Sequence, residues 1–195
     1  MSGRVSGATS GLSGSRPVVL VGFMGAGKST VGRLVAGHLG RRFVDSDEAV
    51  TERAGRTPRE IFATAGEAVF RALEHTVIAE LVRRDGEGAP DPLVVALGGG
   101  SVEDPRTRAA LDGAYVVYLE VSHAEALRRV GTDPGRPVLA RPDLEALHAR
   151  RAAAYREVAD VVVVTDGRPP EEIAKQVLTL VAAEDDDVSS EHLVE

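Results

Sequence analysis

The run VLVGFMGAGKST, from Val19 to Thr30, constrains this chain more than any other stretch. An apolar segment leads directly into a glycine-rich turn that closes on Gly27, Lys28, Ser29 and Thr30. Gly22 to Ser29 fills every fixed position of the eight-residue phosphate-loop pattern. Glycines there let backbone N–H groups turn inward around phosphates, and the helix opening near Lys28 adds its positive end. Lys28 has the reach for the β- and γ-phosphates, and the Ser29 hydroxyl suits Mg²⁺. Gly25, Ala26, Gly27, Lys28, Ser29 and Thr30 are therefore the expected nucleotide-binding set. The loop leaves open what receives the phosphoryl group.

The rest of the chain fits the architecture such a loop needs. Val- and Leu-rich runs at 18–22, 42–45, 93–97, 115–119 and 160–164 suit strands of a parallel sheet buried on both faces. Helical stretches lie between them. Val31, Leu34, Val35 and Leu39 form one stripe, with Gly40 placed as a C-terminal cap. Thr57-Pro58-Arg59-Glu60 reads as a capping box with proline at the first helical position, and Ser122-His123-Ala124-Glu125 as a second box. Phe70, Leu73, Val77 and Leu81 mark a longer helix. Strands alternating with helices imply right-handed crossovers and an α/β/α sandwich. The stretch 131–143, with three prolines and two glycines, reads as a lid.

Bulk properties narrow the partners. At 195 residues the chain fits one domain, expected over 17–183 between a flexible tail at 1–16 and an acidic, disordered one at 184–195. A net charge of −7 argues against general nucleic-acid binding. Without cysteine there are no disulfides or thiolate metal sites, and the five histidines show no metal-ligand spacing. No apolar run approaches the length of a membrane span, so a cytoplasmic protein without membrane or nucleic-acid partners is expected, monomeric in the absence of an extended apolar face.

Candidates for the acceptor side lie farther along. In Phe43-Val44-Asp45-Ser46-Asp47, the two aspartates, read as strand residues two apart, would face the same way into the crevice at the strand ends. A solvated acidic loop is an equal reading of that pair alone. Arg71 has Glu67 one helical turn earlier, and Arg151 has Tyr155 one turn later, so both arginines also fit an ordinary helix surface. The triplet Gly98-Gly99-Gly100 shifts the balance, because three glycines after a buried strand allow backbone to approach a ligand closely.

Taken together, GFMGAGKST, FVDSDE, IFATAGEAVFRALE, LGGGSV, GRPVL and RAAAY, in this order and spacing, resemble shikimate kinase from about Val18 to Val181. The resemblance implies a P-loop kinase fold of the nucleoside-monophosphate-kinase type, with a five-stranded parallel sheet in the order 2-3-1-4-5. It also implies transfer of the γ-phosphoryl group of ATP to the 3-hydroxyl of shikimate. By position, Asp47 would contact the acceptor hydroxyls and act as base. Arg71 and Arg151 would clamp the carboxylate, with Gly98, Gly99 and Gly100 beside the ring. Asp45 would support Mg²⁺ alongside Ser29, Arg136 would reach the transferring phosphate, and Arg129, Arg168 and Pro170 would flank adenine. Glu120 is read as a strand-end residue rather than a metal ligand. RAAAY departs from the family pattern in lacking a proline before the tyrosine. The competing readings are another small-metabolite kinase, such as gluconate kinase, and a nucleotide-dependent switch.

Overall fold

A computed structural model describes residues 16–83, 92–131 and 142–191, the last six of these by backbone alone. Five parallel strands form one sheet in the order β2-β3-β1-β4-β5: β1 (Val18–Val21), β2 (Phe43–Asp45), β3 (Val94–Ala96), β4 (Tyr115–Glu120) and β5 (Val161–Val164). The central strand β1 sets Val19 between Val95 of β3 and Val116 of β4. All four β1 residues are at most 1% exposed, so both faces of the sheet centre are covered. Helices α1 (Lys28–Leu39) and α8 (Pro170–Glu191) pack on each other, as do α4 (Glu67–Val82) and α5 (Pro105–Ala110), while α7 (Leu144–Val158) lies against β4.

β5 departs from the expectation of burial on both faces. It is an edge strand on which Val163 is buried while Val162 and Val164 are 43% and 52% exposed. The apolar run there reflects β-propensity and one-sided packing rather than a central position.

Local signals explain where helices begin and end. Gly40 takes a left-handed φ of 65° and returns its N–H to the Ala36 carbonyl, closing α1. Thr57 and Glu60 form the full reciprocal box at the start of α3 (Pro58–Ala65). At α6 (His123–Val130) only half the expected box forms. Ser122 accepts the Glu125 N–H at 3.2 Å, but the Glu125 carboxylate binds Arg128 and Arg129, and Asp166 receives the Ser122 N–H at 2.9 Å.

Both expected domain edges shift. Arg16 belongs to the folded body, pairing with Glu184 at 2.7 Å and with the Ala114 carbonyl. Helix α8 runs on through the first eight residues of the stretch expected to be a disordered acidic tail. Alanines at 182 and 183 favour its continuation, and the Arg16 contact holds Glu184.

A second, smaller core lies apart from the main one. Val50, Ile61, Phe70 and Val77 bring together α2 (Ser46–Ala54), α3 and α4. This three-helix unit carries Asp47 and Arg71, two of the side chains expected to meet the acceptor.

Candidate active site

The phosphate loop leaves β1 at Val21 and re-enters regular structure at Lys28. Two backbone requirements shape it. Gly22 has φ 150°, and a Cβ there would sit 2.5 Å from the Leu119 carbonyl oxygen. Gly27, at φ 92°, precedes α1 without supplying any side-chain cap, so no side chain competes for the first N–H groups of the helix. The Lys28 ammonium donates to the carbonyls of Gly22 at 2.8 Å and Phe23 at 3.2 Å, which hold it over the loop.

Ser29, one residue into α1, donates its hydroxyl to Asp45 Oδ2 at 2.8 Å. Asp45 ends β2, and its other oxygen caps α2 by accepting the Asp47 N–H at 3.0 Å. A hydroxyl beside a carboxylate at the mouth of a phosphate loop suits Mg²⁺, which binds through few protein oxygens and takes the rest from phosphate and water. Among the described residues no group of three or more acidic, His or Cys side chains could hold a metal ion.

Asp47 does not sit on the strand, as its spacing from Asp45 suggested. It lies in the first turn of α2, because Asp45 already acts as the cap. It still faces the crevice, next to Gly98, where a Cβ would meet Asp47 Oδ1 at 2.6 Å and Glu74 Oε1 at 3.0 Å. Asp47 is exposed to solvent, while the protein around it partly desolvates the carboxyl. That desolvation, reinforced by Glu74 and then Asp45, raises its pKa from 3.8 to about 6 against the opposing pull of Lys28 and Arg71. An acid titrating there is ionised at neutral pH yet basic enough to take a proton.

Both arginines close on Gly100. A Cβ at that glycine would lie 2.5 Å from Arg71 Nη2 and 2.8 Å from Arg151 Nη2. Arg71 donates to Glu74 at 2.6 Å and lies over the rings of Phe70 and Phe62, 5.3 and 5.8 Å from their centroids. The expected Glu67 contact is the longer one, at 3.5 Å. Arg151 donates Nε and Nη2 to Glu103, and one turn later the Tyr155 hydroxyl donates to the Gly99 carbonyl at 2.5 Å. Gly99 also adjoins the phosphate loop, its Cβ position lying 3.9 Å from the Gly22 carbonyl oxygen.

Arg129 ties the loop to the other side of the sheet. It donates to the Gly25 carbonyl at 3.1 Å, and to the Thr165 hydroxyl and carbonyl at 3.2 and 2.6 Å. Arg168 stands on the same turn, bonded to the Val164 carbonyl and Gln176, and Pro170 opens α8 beside it. Arg136, with most of the lid stretch, lies outside the described residues. Glu120 closes β4 and pairs with Arg156, as a strand-end residue should.

Sequence reasoning passed over four residues here. Glu74 is 1% exposed and holds Arg71 and the Ser101 hydroxyl, the latter at 2.7 Å. Ser46 accepts the Gly98 N–H at 2.9 Å, and Glu103 holds Arg151. Glu74 follows Arg71 by one helical turn and Ser101 follows the triplet directly, so spacing was an available signal for those two. Nothing local marks Ser46 or Glu103.

Gly99 against Gly22 joins a phosphate cradle to a cleft bearing the Asp47 carboxylate and two guanidinium groups, the layout of a P-loop kinase for a small-molecule acceptor. The family model described as "Shikimate kinase" matches residues 24–182. The chain is 49% identical over 169 residues to shikimate kinase from Streptomyces avermitilis, covering 83% of this chain and 92% of that one. It is 46% identical over 166 residues to shikimate kinase from Mycobacterium tuberculosis, covering 83% and 90%. Among solved structures it resembles "Shikimate kinase from Acinetobacter baumannii in complex with shikimate", with a TM-score of 0.78 and 35% identity over 88% of this chain and 95% of that one. The chain belongs to the shikimate kinase family.

Proposed function

We propose that this chain transfers the γ-phosphoryl group of ATP to the 3-hydroxyl of shikimate, giving shikimate 3-phosphate and ADP on the route to chorismate. The observation that carries this reading is the closure of Arg71 and Arg151 on Gly100, beside Asp47 and against the phosphate loop. Shikimate is a polyol with one carboxylate, and paired guanidinium groups match a carboxylate with parallel hydrogen bonds. Each well-desolvated charged contact of this kind contributes about 1.5–3 kcal/mol.

Asp47 takes the proton of the attacking hydroxyl, while the α1 amides and Lys28 hold the donor phosphates. Ser29 and Asp45 would hold Mg²⁺ brought with the nucleotide, and the ion would supply positive charge to offset that of the donor phosphates. Arg136 supports the transferring group, and Arg129, Arg168 and Pro170 flank the adenine. The working unit is the body that runs from Arg16 through α8, monomeric and cytoplasmic, without nucleic-acid or membrane partners. Among the described residues no helix is long and apolar enough to cross a membrane.

The test is a coupled ADP-release assay with ATP and Mg²⁺, offering shikimate, gluconate and nucleoside monophosphates in turn. Shikimate alone is expected to stimulate release. Equal stimulation by gluconate, or none by any acceptor, would favour the sugar-kinase or switch reading instead. Arg71→Ala should raise the shikimate KM far more than the ATP KM.

A further inference from the structure

Arg151 meets the cleft with part of its guanidinium already committed. Its Nε and Nη2 both donate to one oxygen of Glu103, at 3.0 and 2.8 Å, which occupies one of the two paired-donor edges of the group. Glu103 stands on the 3-10 turn Ser101–Glu103, directly after the glycine triplet. Its second oxygen lies 3.5 Å from Nη2 of Arg150, whose side chain is 58% exposed.

Resting on the reading that Arg71 and Arg151 hold the acceptor carboxylate, we propose that Glu103 sets acceptor affinity as an internal carboxylate. It competes with the acceptor for Arg151 and passes to Arg150 when the acceptor binds.

Charge balance in the cleft calls for such an exchange. Arg71 and Arg151 face Glu67, Glu74 and Glu103, so the clamp presents no net positive charge to an incoming anion. A carboxylate reaching the remaining edge of Arg151 would lie close to Glu103 across one guanidinium, and the two repel at short range, so one must yield. Glu74 cannot yield, since its side chain is 2% exposed and is held by both Arg71 and Ser101. Moving it would strand a buried charge. Glu67 touches the clamp only at 3.5 Å and is mostly exposed, so its departure gains little. Glu103 alone combines a close hold on the clamp with a second cation beside it near solvent. A weakly binding anion fails to displace it, and a carboxylate that also engages Arg71 succeeds.

Glu103→Gln, Arg150→Ala and the double variant test this, with shikimate and its uncharged methyl ester measured by turnover and by calorimetric titration. Glu103→Gln should lower the shikimate KM and Kd on the order of threefold to tenfold, with the ATP KM and Tm unchanged. Affinity for the methyl ester should not change. Arg150→Ala should raise the shikimate KM about threefold in the native background and much less beside Glu103→Gln, since the hand-over then has no passenger. A shikimate KM in Glu103→Gln equal to or above that of the native chain overturns the proposal, as does the same gain for the ester. An Arg150→Ala effect undiminished in the double variant overturns the hand-over. Failure of the acceptor reading itself shows separately, as a native chain that shikimate does not stimulate.

Discussion

The Ser101 hydroxyl donates to Glu74 at 2.7 Å, and the opposite oxygen of the same carboxylate receives Arg71 at 2.6 Å. One buried acid thus locks the loop after the glycine triplet to the helix that presents the clamp. Glu74→Ala should destabilise the fold by about 3 kcal/mol or more, because Arg71 and Ser101 lose their partner where water hardly enters. Urea unfolding measures this, and Glu74→Gln, which keeps the Ser101 contact, should lose less. In both variants the shikimate KM should rise well above its native value while the ATP KM moves little.

Asp47 gives a pH signature with two opposite slopes. Burial first, then Glu74 and Asp45, raise its pKa from 3.8 to about 6. Between those values the folded protein binds more protons at this site than the unfolded chain does. Its contribution to stability therefore falls as pH rises through that window. Activity should move the other way, with kcat/KM climbing through about pH 6 as the base ionises. Asp47→Asn should abolish most turnover, leave ATP binding in place and flatten the stability slope. Parallel pH series of unfolding midpoints and initial rates separate the two effects.

Two glycine-to-alanine changes should divide cleanly into a folding defect and a binding defect. At Gly22 the new methyl group meets the Leu119 backbone at a φ of 150°, so nothing can give way cheaply. A loss of about 3 kcal/mol or more is expected there. At Gly100 the φ is an ordinary −109°, and the methyl group meets only the ends of Arg71 and Arg151. That variant should unfold within about 1 kcal/mol of the native chain. Its shikimate KM should nevertheless rise on the order of tenfold as the guanidinium groups are pushed aside.

Arg129→Ala should report on the nucleotide side alone. Its guanidinium bonds Glu125, Gly25 and Thr165, so its loss loosens the phosphate loop from the turn after β5. The ATP KM should increase about fivefold, equivalent to about 1 kcal/mol, with a smaller change for shikimate. A change confined to the shikimate KM would place Arg129 on the other side of the reaction.

Much of the fold is legible in the sequence. Gly22 to Ser29 marks the phosphate loop because its glycines meet backbone requirements and Lys28 and Ser29 side-chain ones, and the apolar runs lie within a residue or two of the five strands. The spacing puts Asp47 on the strand rather than in the first turn of α2, since a period of two cannot reveal that Asp45 caps a helix. Val162 and Val164 read as core because strand composition does not separate an edge from a centre. Glu103 was invisible for a different reason. Its partner, Arg151, lies 48 residues away, and pairing over that distance is written in the fold rather than in any local pattern.

The small core of Val50, Ile61, Phe70 and Val77 has a consequence for engineering. The helices that present Asp47, Arg71 and Glu74 share this core, while Ile78 and Val82 anchor α4 in the main one. Transplanted into a related scaffold together with Gly98–Gly100 and Arg151, that unit should bring its acceptor preference along while the host keeps its own grip on ATP.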